Sequence, residues 1–207
     1  MFGIHAYWLF LLTGILLNLA PGQDTLFILG RSLAGGTRAG IAAAFGIGVG
    51  SLGHTLLAAL GLSALLAASP WAFTLVRLAG ACYLIYLGSR LLIGGKGGAA
   101  VAHSAPGNSR SAFIQGIVTN LVNPKVALFF LALLPQFIDP ASPAKMVAFL
   151  ALGATFVTTG LIWCLVLAGA AGRLQSFLRR NPGAGRLIDR SVGALFLILG
   201  ARLAAAR

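Results

Sequence analysis

Glutamate is absent from this 207-residue chain, acidic residues number three, and charged residues of both signs make up 9% of the sequence. A soluble domain carries roughly 25%. The two cysteines, Cys82 and Cys164, stand inside apolar runs without a CxxC partner. That excludes a disulfide framework and a zinc ribbon, and both read as buried small side chains. No HExxH occurs, and no histidine pairs with a nucleophile inside the apolar runs, so an intramembrane enzyme has little chemistry to work with. No His, Cys or carboxylate cluster has ligand spacing, which implies no metal and no cofactor and disfavours an exporter of cations or metals. A structural subunit or assembly factor is a further alternative, and it would show no dependence on any solute.

What the chain has in quantity is apolar surface. Hydrophobic residues reach 58% and mean hydropathy is +0.95. Neither the run from Ala39 to Val76 nor that from Met146 to Gly172 contains a single charge. Each exceeds the roughly 20 apolar residues needed to cross a bilayer. A small soluble fold leaves too much of its area exposed to hide them. The chain therefore reads as an integral membrane protein, with the lipid bilayer as its first partner. A net charge of +12 would suit a nucleic-acid binder, yet the basic residues fall between the apolar runs and form no single patch, so no nucleic-acid partner is expected.

Glycine, proline and charge clusters divide the chain into six expected helices: His5 to Leu29, Gly40 to Leu66, Trp71 to Ile93, Ser111 to Ile138, Met146 to Gly172 and Leu187 to Leu203. Helices are preferred because each run is longer than a barrel strand and lacks strict alternation. The expected fold class is all-α: one transmembrane domain over 1–207, built of a first repeat (about 5–93), a Gly- and Ser-rich linker (about 94–110) and a second repeat (about 111–203). The N-terminus lacks the basic start and small-residue cleavage site of a signal peptide and reads as the first span. Arg31, Arg38, Arg90, Lys96, Arg110, Arg173, Arg179, Arg180, Arg186 and Arg190 follow spans one, three and five. The positive-inside bias places them in the cytoplasm and both termini outside, in the periplasm of a bacterial inner membrane. Between Arg173 and Arg180, apolar and basic residues at helical spacing suggest a short helix lying on an anionic surface.

Spans one and four repeat each other. The segment T-G-I-L-L-N-L-A-P-G-Q-D from Thr13 aligns with Q-G-I-V-T-N-L-V-N-P-K-V from Gln115, so that Asn18 falls on Asn120. An odd number of spans separates the copies, the mark of an inverted repeat as found in many secondary transporters. Both copies carry a helix breaker, Pro21-Gly22 and Pro124, each with an ion beside it, Asp24 and Lys125. Proline frees backbone carbonyls, which in hydrocarbon must face protein or a watery cavity. An Asp or Lys near a helix centre costs roughly 2.5 to 3.5 kcal/mol, so both ions need partners and are expected to face each other or one cavity. Asn18, Gln23, Asn120 and Asn123 are the polar side chains beside them. His54, on a face with Gly46 and Gly50, is assigned to close helix packing or to the pathway. Asp139 reads as a cap or loop residue.

These segments, with Y-L-I-Y-L-G from Tyr83 and L-P-Q-F-I-D-P from Leu134, resemble the LysE/RhtB amino-acid exporter superfamily over essentially the whole chain. The resemblance implies export of amino acids or close derivatives from the bacterial cytoplasm, driven by protons. The family's proline, glycine and aspartate fall on Pro21, Gly22 and Asp24, and its Asn-Pro-Lys on Asn123, Pro124 and Lys125. Gln23 departs from the second proline of many members. A zwitterion needs a carboxylate for its ammonium and a cation or helix N-terminus for its carboxylate, which Asp24 and Lys125 provide. Asp24 is also the candidate for proton exchange. With one acid and one Lys at the site, a neutral amino acid such as threonine or homoserine is preferred over a basic one. A homo-oligomer is compatible with the glycine-rich face of span two.

Overall fold

In lipid the backbone must satisfy its own hydrogen bonds, and within a single segment only a helix does so. The computed structural model describes residues 2–20, 22–62, 70–93, 108–180, 190–191, 193–194, 196–198, 200–201 and 204–205. Among them the β pairing is one isolated antiparallel bridge, Ile4 to Ile138. Helix α1 spans Tyr7–Leu19 and α2 spans Gln23–Leu57, closed by a π turn at Ala58–Leu62. Helix α3 follows at Pro70–Leu92, then α4 at Ser109–Leu121. A short α5, Pro124–Leu128, runs on through a π turn (Phe129–Leu133) and a 3-10 turn (Leu134–Phe137). Helix α6 spans Lys145–Arg180, and the described residues from 190 onward are helical.

By length and apolarity, Gln23–Gly61 and Lys145–Arg173 can each cross a membrane, and α4 with its continuation, bent by 47°, makes a third. The first of these is not one rod. Gly36 has φ 76° and ψ 174°, a backbone that side-chain-bearing residues rarely adopt. Beyond it, Gly40 lies so close to Ser32 that a Cβ there would collide with the Ser32 hydroxyl. Residues eight apart on a straight helix are about 12 Å apart. The chain therefore doubles back at Gly36, and α2 is a hairpin of two arms, 23–35 and 37–57.

Several expected boundaries shift. The helical run expected to end at Leu29 continues to Gly36, so Arg31 is a buried helix residue and not part of a basic loop. It stays there because its guanidinium donates to the Gln115 side chain on α4 and lies over the Phe27 ring at 5.4 Å. The stretch Arg173 to Arg180 continues α6 without a break and forms no separate surface helix. Ser109 and Arg110 already belong to α4, because the Asn108 side chain accepts from Ser111 N (2.9 Å) and caps the helix. Cys82 is exposed, whereas Cys164 is buried as expected. Pro21, most of the linker and residues 181–189 lie outside the described residues.

Two cores fill the interior. One is aromatic: Phe129 stacks on Phe156 at 4.4 Å and Phe10 meets Phe137 edge-on at 5.3 Å. The other is built of small residues, with Ala39, Ala43, Ala44 and Ala168 around Ile28 and Ile47. Here α2 and α4 touch backbone to backbone: a Cβ on Gly116 would sit 2.6 Å from the Ala43 carbonyl oxygen. Large apolar side chains also face outward, among them Trp8 (77% exposed), Leu60 (64%) and Ile162 (59%). Apolar exposure this extensive fits a lipid-facing surface. At the far end of α1, His5 N donates to Phe137 O (3.0 Å) and Asp139 N to Gly3 O (2.8 Å), strapping the N-terminal residues to the end of the α5 segment. Asp139 is a loop residue there, accepting from Ala141 N (2.8 Å).

Candidate functional site

The two helix breaks meet between the cores. Helix α1 stops at Leu19, and Gly22 is the N-cap of α2 without any side-chain cap. At this break the carbonyls of Leu17 and Ala20 accept hydrogen bonds from Lys125 Nζ at 3.2 and 3.0 Å, and Leu17 also accepts from Ala20 N at 3.2 Å. A cation at a helix C-terminus meets the negative end of its dipole. Gly22 leaves the room for this approach, since a Cβ on it would lie 3.0 Å from Nζ. Two residues later Asp24 occupies the first turn of α2, where the helix dipole favours a carboxylate.

The second break is built locally. Asn123 is the N-cap of α5 and its Oδ1 accepts from Lys125 N (3.0 Å), with Pro124 exposed at the first helical turn. Asn120, 1% exposed, knits the surroundings together. Its Nδ2 donates to Asp24 Oδ2 at 2.8 Å, its Oδ1 accepts from Ser51 at 3.1 Å, and its carbonyl meets His54 Nε2 at 3.1 Å. Asn18, the residue expected from the sequence to correspond to it, donates from Nδ2 to Thr159 Oγ1 at 3.3 Å. Thr159 bonds back to the Thr155 and Phe156 carbonyls. Asn120 thus ties α4 to α2, and Asn18 ties α1 to α6.

A cavity of about 30 Å³ is lined by Asn18, Asp24, Ser51, Asn120 and Lys125 on its polar side, and by Ile47, Phe156, Val157 and Leu161 on its apolar side. That is space for a couple of water molecules at about 10 to 15 Å³ each, so a solute enters only when the walls part. Asp24 and Lys125 share this cavity and form no salt bridge with each other. Lys125 is bound instead by backbone carbonyls, and Asp24 Oδ1 is buried with no hydrogen-bond partner. Gln23 is exposed at the start of α2 and lies outside the lining, as do Gly22, Asn123 and Pro124. His54 is also outside it, stacked on Phe130 at 5.8 Å. The lining adds Trp163, Cys164 and Gly160, which sequence reasoning missed. A signal existed: Trp8 and Trp71 stand near helix starts, as interfacial tryptophans do, whereas Trp163 falls in the middle of a charge-free run.

Comparison with known proteins gives the chain its relatives. It is 33% identical over 204 residues to an "Uncharacterized membrane protein" of Vibrio cholerae, covering 99% of this chain and 98% of that one. It is 32% identical over 208 residues to the "Leucine efflux protein" of Salmonella typhimurium, covering 98% and 96%, and equally to that of Salmonella choleraesuis. No solved structure matches it significantly. The family described as "LysE type translocator" matches residues 15–207. The chain accordingly belongs to the LysE type translocator family, whose members are membrane transporters and not enzymes.

Proposed function

We propose that this protein is a secondary transporter of the bacterial inner membrane that exports neutral amino acids with aliphatic side chains, by exchange for protons. The observation that carries the reading is the cavity where Asp24 presents a carboxylate oxygen without a partner beside the Lys125 ammonium. Those two groups match the ends of a zwitterion, and the wall of Ile47, Phe156, Val157 and Leu161 matches an apolar side chain. The names of the Salmonella relatives point the same way. Asn18 and Asn120 orient the ligand, Asn123 and Pro124 hold the break that positions Lys125, and Gly22 admits its side chain. Pro21 belongs to the same break by sequence.

The proposed architecture is six spans in two inverted repeats, with both termini in the periplasm. Helices α1 and α4 have the same length and the same offset: Tyr7–Leu19 against Ser109–Leu121. The crossed contacts of Asn18 and Asn120 support the same relation. Asp24 is the proposed proton carrier: its carboxyl gives up the proton to the cytoplasm as the resulting carboxylate takes the substrate ammonium, and it takes up a proton from the other side when the substrate leaves. The test is export of labelled L-leucine from proteoliposomes with and without a pH gradient. Export by the wild type and its loss in Asp24→Asn, with insertion unchanged, are expected. Wild-type rates in that variant refute the assignment.

A further inference from the structure

Cavity-lining polar atoms are unevenly committed. Asn18 and Asn120 donate to neighbours, and Lys125 Nζ has placed two of its three donors on the Leu17 and Ala20 carbonyls. Among the described lining residues, Asp24 and Trp163 each hold a buried polar atom without a partner: Oδ1 of the first and Nε1 of the second. The indole N–H is a donor only. Leaving a buried donor unpaired costs about 1 to 3 kcal/mol, which lipid-facing packing does not return. One unpartnered acceptor and one unpartnered donor, both sealed in the walls of a single closed cavity, are complementary to a molecule that carries an ammonium and a carboxylate side by side once those walls part.

We infer that Trp163 is a substrate-binding residue: its indole N–H donates to the carboxylate of the amino acid whose ammonium rests on Asp24 Oδ1. This rests on the amino-acid reading above and deepens it. Lys125, largely spent on the first helix break, supplies the remaining charge, while Trp163 supplies direction. The residue thus selects for an α-carboxylate and discriminates against amines that lack one.

The experiment compares wild type with Trp163→Phe, which keeps the ring and deletes the N–H. L-Leucine export from proteoliposomes is measured, with isopentylamine, leucine's side chain and amine without the carboxylate, as competitor. The KM for leucine is expected to rise about tenfold or more, with inhibition by isopentylamine unchanged. A leucine KM within twofold of wild type overturns the inference, as does an equal weakening of both ligands, which marks a structural role. Should Trp163→Phe fail to insert, emission of Trp163 in a Trp8→Phe, Trp71→Phe background decides: a shift with leucine and none with isopentylamine supports it, and no shift with leucine overturns it. A wild type that moves no neutral amino acid overturns the export reading together with this inference. An active wild type beside an indifferent Trp163→Phe overturns this inference alone.

Discussion

The two helix breaks solve the same problem in different ways. The break before α5 is self-sufficient: Asn123 caps the new helix with its own side chain and Pro124 enters it where a missing N–H costs nothing. The break after α1 has no such provision, since Gly22 caps α2 without a side chain, the Ala20 carbonyl takes its donor from outside the segment, and the Leu17 carbonyl adds the same outside donor to its bond from Ala20 N. That donor is Lys125, which belongs to the other break. One interruption is thus stabilised by its neighbours in sequence and the other by its partner in space. Separation of α5 from α1 therefore disturbs the first break more than the second, and it does so through Lys125, which also lines the cavity.

Replacement of Gly46 by Leu should have the largest effect. A side chain there collides with the Phe113 carbonyl and removes the platform on which α4 rests. Overpacking of this kind costs about 3 kcal/mol or more, and a monodisperse peak in detergent chromatography is expected to be lost. Lys125→Met comes next. It leaves the Ala20 carbonyl without a donor and the Leu17 carbonyl with only its bond from Ala20 N (3.2 Å), at about 1 to 3 kcal/mol for the orphaned group, and should lower Tm in detergent as well as stop export. Asn123→Ala is the smallest, the loss of one N-cap at about 1 kcal/mol, read as a modest drop in Tm with export retained. Equal Tm losses for Lys125→Met and Asn123→Ala would erase the distinction between the breaks. A loss at Lys125 several times larger sharpens it.

Much of this was legible in the residues. The all-helical class followed from charge-free runs too long for strands. Both breaks were readable because Pro21-Gly22 and Pro124 are helix breakers within apolar runs. Arg31 misled, because a lone arginine after an apolar run looks like a loop charge until Gln115 and Phe27 are seen against it. The Arg173 to Arg180 stretch misled for the opposite reason: its amphipathic spacing is equally that of a helix end.

By itself the sequence determined the apolar, all-helical character, the positions of both interruptions and the family to which the chain belongs, since propensity, capping and membrane solvation act over a few neighbouring residues. Only the tertiary structure decided that Lys125 binds the end of α1 and not Asp24, that Asn120 reaches α2 while Asn18 reaches α6, and that Trp163 joins the cavity. A long side chain ends where the packing of distant helices allows it, and that packing is set by contacts such as Gly46 on Phe113 that no local pattern records.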